Sequence, residues 1–217
     1  TKEITRLRNR FLNVMFNAIA GQPDQPVKLD FIYGNITNGK LIPLDGQQRL
    51  TTLFLLHWYI ARHEGVDEQQ YAFLKNFTYK TRFSSQHFCE SLIQHTPNFS
   101  GENISAWIID QNWFMYSWEK DPTIKSMLVT LDAIHSTFKE TTGLWDKLQK
   151  PLISFYFLPL EEMGLTDNLY IKMNSRGKPL TEFEHFKAEF EKIIKDVSSE
   201  LYKDFIKKVD IDWVDML

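Results

Sequence analysis

The stretch KLIPLDGQQRLTTL, residues 40–53, decides the fold because it joins a short apolar strand to a long apolar helix through a polar turn. Asp45 is a favourable N-cap residue, and Gln48 stands three positions later, where its side chain can reach back as in a capping box. Gly46 allows a sharp turn because it has no Cβ atom. The stretch therefore predicts a strand, a tight turn and a helix N-terminus.

The same turn has the chemistry of an anion site. A helix start offers backbone N–H groups and the positive end of the helix dipole, both of which favour a phosphate. Arg49 could add a bidentate contact to that phosphate. The alternative is a capped helix that needs no ligand, since helix starts far outnumber phosphate sites.

The residues around this turn predict a small β element between two helices. Residues 27–36 and 41–44 have the pattern of two strands, and the pair Asn38-Gly39 favours a type I′ hairpin turn between them. A helix is predicted over residues 3–20, and a second one from Gly46 to about His63. The apolar face of the first helix consists of Ile4, Leu7, Phe11, Val14, Met15 and Ala18. That of the second consists of Leu50, Leu53, Phe54, His57, Trp58 and Ala61.

The chain downstream is aromatic and mostly helical in pattern. We predict a helix leading toward Ile93, a helix over residues 103–118, and a helix opened by Asp121 and Pro122 that runs to about residue 138. A short helix after Gly143, a buried strand over residues 151–160 and helices over 181–195 and 196–217 complete the prediction. The fold class is α+β, mainly helical, with a β-hairpin and helix element followed by a helical domain.

Composition limits the classes of function. The net charge of −3 provides no general attraction to DNA, so any nucleic-acid contact requires a local patch or another part of the protein. The first helix contains such a basic cluster, at Arg6, Arg8 and Arg10, for which a solvated face is the ordinary interpretation. A single cysteine, Cys89, fits a reducing, cytoplasmic location, and no apolar run is long enough to span a membrane.

Two motifs resemble one known family. The sequence DGQQRLTT, residues 45–52, is similar to the signature of the N-terminal domain of GmrSD-type restriction endonucleases, a family related to the ParB and sulfiredoxin nucleotide-binding fold. The sequence YIKMNSRGKPL, residues 170–180, is similar to the Asn-Ser-Arg-Gly segment of that family. The resemblance extends over about residues 30–194, with both motifs in the family order.

The resemblance implies a nucleotide site. It implies binding of a nucleoside triphosphate and Mg²⁺ by Gly46, Gln47, Gln48, Arg49, Thr51 and Asn174. It also implies catalytic roles, should hydrolysis occur, for Asp45 as a metal ligand or water contact, for Gln48, for Arg49 and for Arg176. By this interpretation the turn at Asn174 and Arg176 lies beside the first motif, which belongs to a partial ParB-like element over residues 1–66, followed by a helical domain over residues 67–217.

The sequence also departs from the family pattern. Members usually carry an upstream strand with a Tyr-Gln-Arg type motif and often continue into an HNH nuclease domain, and neither is present in these 217 residues. We therefore expect a fragment without nuclease activity that contacts DNA through other parts of the full-length protein, with a homo-oligomer left open. The leading hypothesis is a nucleotide-binding sensor domain of a DNA restriction or phage-defence protein. The alternative is a non-catalytic helical module that binds DNA or a partner protein.

Overall fold

The computed structural model describes residues 2–21 and 23–159. Helices account for most of this part of the chain, which confirms the predicted α+β, mainly helical class. The α-helices are α1 (Lys2–Ala20), α2 (Gln47–His63), α3 (Glu68–Tyr71), α4 (Phe83–Gln94), α5 (Ile104–Ile109), α6 (Pro122–Phe138) and α7 (Trp145–Leu148). Short 3-10 helices occupy Ala72–Asn76 and Tyr116–Lys120, and the strands are β1 (Val27–Thr37), β2 (Lys40–Pro43) and β3 (Ile153–Pro159).

The described strands form one sheet in the order β2-β1-β3. β1 and β2 are antiparallel, with Thr37 opposite Lys40, so that two residues connect them. Both of these residues, Asn38 (φ 51°) and Gly39 (φ 71°), have the left-handed backbone that a type I′ turn requires. The predicted hairpin is therefore confirmed, including its turn.

The chain divides into two compact units. The first consists of Thr1–Ile32 and Gly46–Tyr156, and the second of Tyr33–Asp45 and Phe157–Leu217. The sequence-based division between residues 66 and 67 stays a prediction. Within the first unit, helices from both sides of that point share one hydrophobic core.

Helix α2 is the central element of the first unit. It packs against α6 and α7, and its buried residues are Thr51, Phe54, Leu55, Leu56, Trp58, Tyr59, Ile60 and Ala61. The predicted apolar face is confirmed at Phe54, Trp58 and Ala61, whereas Leu50, Leu53 and His57 are half-buried. The prediction missed four further buried residues: Leu55, Leu56, Tyr59 and Ile60. A helix surrounded by packing partners is buried on most sides, which periodicity alone does not reveal.

Helix α1 packs on α6 through a narrower stripe than predicted. Leu12, Met15, Ala18 and Ile19 are buried, whereas the side chains of Leu7 and Val14 are 58% and 37% exposed. The buried residues lie on one side of the helix, which packs against α6 and α7.

The predicted helix over residues 103–118 is interrupted. α5 ends at Ile109, and the amide of Gln111 donates from Nε2 to the carbonyl of Trp107 at 2.9 Å. Asp110, Gln111 and Asn112 follow in sequence, and Asp and Asn are poor helix formers because their side chains compete for backbone groups.

Two further predictions have definite outcomes. The N-terminus of α6 is confirmed, since the Asp121 carboxylate accepts from the backbone N–H groups of Thr123 at 2.7 Å and Ile124 at 3.3 Å. The strand predicted over residues 151–160 is present as β3, but its side chains are half-buried and Tyr156 is 46% exposed, so it is not a buried strand. The helices predicted over residues 181–217 lie outside the described residues.

Candidate functional site

The polar turn begins at the end of the β-hairpin. The carbonyl oxygen of Tyr33 accepts from the backbone N–H groups of both Leu44 (2.8 Å) and Asp45 (3.2 Å). One carbonyl thus holds two successive residues after β2. The side chain of Asp45 is exposed.

Gly46 is the N-cap of α2, which corrects the prediction that Asp45 holds this position with Gln48 in a capping box. The carbonyl of Gly46 accepts the first helical hydrogen bond, from the N–H of Leu50 at 3.1 Å. Its backbone is left-handed (φ 88°, ψ 5°), and a Cβ atom on it would lie 2.8 Å from Cγ1 of Ile32. The turn needs a residue with this backbone directly before the helix, so the glycine takes the cap position.

The first turn of α2 divides into a solvent side and an interior side. Gln47 and Gln48 are exposed, Arg49 is half-buried and Thr51 is buried. The structure places Arg49 partly within the protein surface. Its guanidinium therefore has fewer conformations available than a solvated side chain would have.

Thr51, predicted to bind the nucleotide, directs its hydroxyl into the protein. Its Oγ1 donates to the carbonyl of Gln47 at 2.9 Å and lies 2.7 Å from the hydroxyl of Tyr79. Because the threonine hydrogen is used on Gln47, Tyr79 is the donor of the second bond. Burial raises the pKa of Tyr79, so that its hydroxyl keeps the proton that it donates. The sequence contains no signal for this pair, which is separated by 28 residues.

The family comparison covers both sequence motifs. The sequence matches the model for the GmrSD restriction endonuclease N-terminal domain over residues 3–191, which is most of the 217-residue chain. The chain belongs to this family. A GmrSD N-terminal domain is part of a restriction or phage-defence protein, so this coarser part of the functional hypothesis is confirmed. Comparisons with curated proteins and with solved structures gave no match.

The second motif of this GmrSD domain, residues 170–180, lies outside the described residues. The predicted roles of Asn174 and Arg176 in the nucleotide site therefore stay predictions. Among residues 2–21 and 23–159, no group of three or more His, Cys, Asp or Glu side chains could hold a metal ion. In the same part of the chain, no helix has the length and apolar character to cross a bilayer.

Two small cavities of this GmrSD domain, of about 150 and 200 Å³, lie in the first unit. The walls are largely apolar, and Leu53 and His57 line both cavities. His57 donates from Nδ1 to the carbonyl of Leu53 at 2.7 Å, and burial lowers its pKa. Typical ligand pockets have volumes of about 300–1,000 Å³. Both cavities are smaller than the pockets that usually hold a ligand of the size of a nucleoside triphosphate.

The single cysteine of the GmrSD domain is a core residue. Cys89 is fully buried in α4, and its Sγ lies 3.9 Å from Sδ of Met127. Burial raises the pKa of Cys89 to about 12, which keeps the thiol protonated at neutral pH. Cys89 is therefore a packing residue of the core.

Proposed function

We propose that this GmrSD N-terminal domain binds a nucleoside triphosphate, together with Mg²⁺, at the turn of residues 45–49 and serves as the sensor domain of a restriction or phage-defence protein. The observation that carries the proposal is the family match over residues 3–191, which includes both DGQQR and the Asn-Ser-Arg-Gly segment. The local geometry of the turn supports it.

Packing accounts for two of the motif residues. Gly46 is required by its left-handed backbone and by Ile32, and Thr51 is required by Tyr79. Gln47 and Gln48 lie at exposed positions of the first turn of α2. A motif that packs Gly46 and Thr51 against the protein and exposes Gln47 and Gln48 is suited to holding a ligand.

The start of α2 has the donor chemistry for a phosphate. It is a 17-residue helix whose N-cap carries no side chain, so the cap residue adds no competing acceptor over the first turn. Helix N-termini attract anions through backbone N–H groups and the helix dipole. The half-buried guanidinium of Arg49 would add charge-assisted hydrogen bonds to the same phosphate.

Hydrolysis is the further step that these residues could support. In this proposal the Asp45 carboxylate would hold the metal ion or orient the attacking water, and an amide of Gln47 or Gln48 would position that water. Asn174 and Arg176 would contact the phosphates from the second motif. Mg²⁺, when bound with the triphosphate, would neutralise part of the phosphate charge.

The test uses one arginine with two replacements. Arg49→Ala should weaken binding of a non-hydrolysable triphosphate by about 1.5–3 kcal/mol, the range for hydrogen bonds to charged groups. Arg49→Lys keeps the charge but loses the bidentate fork, so its affinity should lie between Arg49→Ala and the wild type. Titration calorimetry of the intact protein at constant Mg²⁺, with a melting curve for each variant, measures both affinity and folding.

Arg10→Ala is the matched control, because it removes the same side chain from the exposed face of α1 and should leave triphosphate affinity unchanged. Equal affinity in the wild type and Arg49→Ala would remove Arg49 from the site. Absence of triphosphate binding by the intact, folded wild type would refute the proposal and leave the non-catalytic module as the function.

A further inference from the structure

Helix α1 presents an outer face with an unusual set of side chains. Each residue advances an α-helix by about 100°, which places one set of five within an arc of about 100°. All five are exposed, and all are arginine or asparagine: Arg6, Asn9, Arg10, Asn13 and Asn17. The helix has 19 residues and no carboxylate after Glu3.

The side chains of this face do not favour helix formation. Asparagine is a weak helix former, and Arg6 and Arg10 are like charges four residues apart, an arrangement that is mildly destabilising. Residues that destabilise the element in which they occur are expected at functional surfaces.

The opposite face fixes α1 in place. Leu12, Met15, Ala18 and Ile19 are buried in the core, and α1 packs against α6. Within residues 2–21 and 23–159, the side chains of the five outward residues make no hydrogen bond or ion pair. Arg8, which is half-buried, is not part of this face. The donors of the outer face are therefore held on a rigid element and are available to a ligand.

We propose that the outer face of α1 binds in the major groove of duplex DNA. Arginine pairs with the N7 and O6 acceptors of guanine or with phosphate, and asparagine pairs bidentately with adenine. The exposed side chains of Leu7 and Val14 border the face and can contact thymine methyl groups. At about 28 Å, α1 is long enough to cross the groove, which is about 12 Å wide.

Charge and shape favour this ligand over the alternatives. The chain has a net charge of −3, but residues 1–20 contain Lys2, Arg6, Arg8 and Arg10 against Glu3 alone, so positive charge is concentrated at this helix. A duplex RNA of the same sequence should bind less well, because its major groove is deep and narrow and does not admit a helix. The interface is independent of the proposed triphosphate site.

The first experiment measures binding of a labelled duplex of about two helical turns to the intact protein by fluorescence anisotropy. Arg6→Ala/Arg10→Ala should weaken binding about 10- to 100-fold at about 0.1 M salt. The slope of log affinity against log salt should fall by about one for each of the two arginines that contacts a phosphate. Lys139→Ala/Lys150→Ala removes the same charge from another exposed region and should change the affinity less than threefold, the scale expected of non-specific electrostatics.

The second experiment separates binding from folding. Asn9→Ala/Asn13→Ala introduces better helix formers, so it should raise the melting temperature while it weakens DNA binding about tenfold. Arg49→Ala should leave DNA binding unchanged, which distinguishes failure of this proposal from failure of the triphosphate proposal. Three results would each overturn the groove interface: no duplex binding by the wild type at about 50 mM salt, equal losses in the lysine control, or equal affinity for duplex RNA.

Discussion

Gly46 is restricted by two separate requirements. Its φ of 88° is unfavourable for any residue with a Cβ atom, and that atom would lie 2.8 Å from the buried side chain of Ile32. Gly65 has a similar backbone (φ 63°) but no atom within 4 Å of the corresponding Cβ position. A comparison of alanine substitutions at the two glycines therefore separates the cost of backbone strain, present at both, from the cost of steric conflict, present only at Gly46.

Gly46→Ala should lower the free energy of unfolding by about 2–4 kcal/mol, the sum of strain and overpacking. Gly65→Ala should cost about 1 kcal/mol, because strain alone applies. Urea denaturation of both variants measures the difference. Equal losses would mean that Ile32 moves aside at no cost.

Cys89 gives the protein a predictable weakness at alkaline pH. Burial raises its pKa from 9.0 to about 12, so the folded state holds a proton that the unfolded state releases. A group whose pKa is raised in this way contributes stability that is fully present below the pKa of the unfolded state. This stability is lost as the pH rises through the pKa of the folded state. The stabilisation is therefore complete below pH 9 and declines between pH 9 and 12.

Over that interval, the free energy of unfolding of the wild type should fall more steeply than that of Cys89→Ala, by up to about 1.4 kcal/mol per pH unit. Denaturation curves at several alkaline pH values give both slopes, and lysines and tyrosines contribute equally to each. Parallel slopes would show that the thiol is not shielded from water.

At the scale of elements, Asp121 determines where α6 begins. Its carboxylate accepts from the N–H groups of Thr123 and Ile124, and α6 packs against α1, α2, α4 and α5. Asp121→Ala should lower the free energy of unfolding by about 1–2 kcal/mol, whereas Asp121→Ser, which keeps an acceptor, should cost less than half as much. Thermal denaturation distinguishes the two, and similar losses would indicate that the contribution is one of charge rather than capping.

The elements that sequence predicts well are those with local causes. The hairpin turn follows from the left-handed preference of Asn38-Gly39, and the start of α6 follows from Asp121-Pro122. In each case the residues that determine the structure are adjacent in the chain.

The features that sequence missed depend on distant neighbours. Which faces of α1 and α2 are buried is decided by the helices packed around them, and Gly46 rather than Asp45 caps α2 because of a turn fitted against Ile32. The partnership of Thr51 with Tyr79 joins residues from separate elements. The position of DGQQR at a helix start was predictable, but the direction of each side chain was not.

At the scale of the first unit, a buried chain of hydrogen bonds links three segments. The hydroxyl of Tyr59 in α2 lies 3.0 Å from Nδ1 of His135 in α6, and Nε2 of His135 lies 2.9 Å from the carbonyl of Gly101. A carbonyl can only accept, so the hydrogen of His135 is on Nε2 and Tyr59 donates to Nδ1. The bonds thereby fix the tautomer of a histidine that has no exposed surface.

Tyr59→Phe should lower the free energy of unfolding by about 1–3 kcal/mol, because it leaves Nδ1 of His135 buried without a donor. Tyr71→Phe is the control, since Tyr71 is also buried but its hydroxyl has no hydrogen bond among the described residues. Chemical denaturation of the two variants measures the contribution of the bond. A loss as large in Tyr71→Phe would assign the effect to packing.

The carboxylate of Glu64, at the end of α2, accepts from the backbone N–H of Leu144 at 2.7 Å and of Trp145 at 3.1 Å, at the start of α7. The first amides of a helix have no partner within it and normally exchange their hydrogen with solvent quickly. Here those two amides are protected by a side chain from another helix. Their deuterium uptake therefore reports how often the end of α2 separates from the start of α7, a motion that leaves both helices intact and their circular dichroism unchanged.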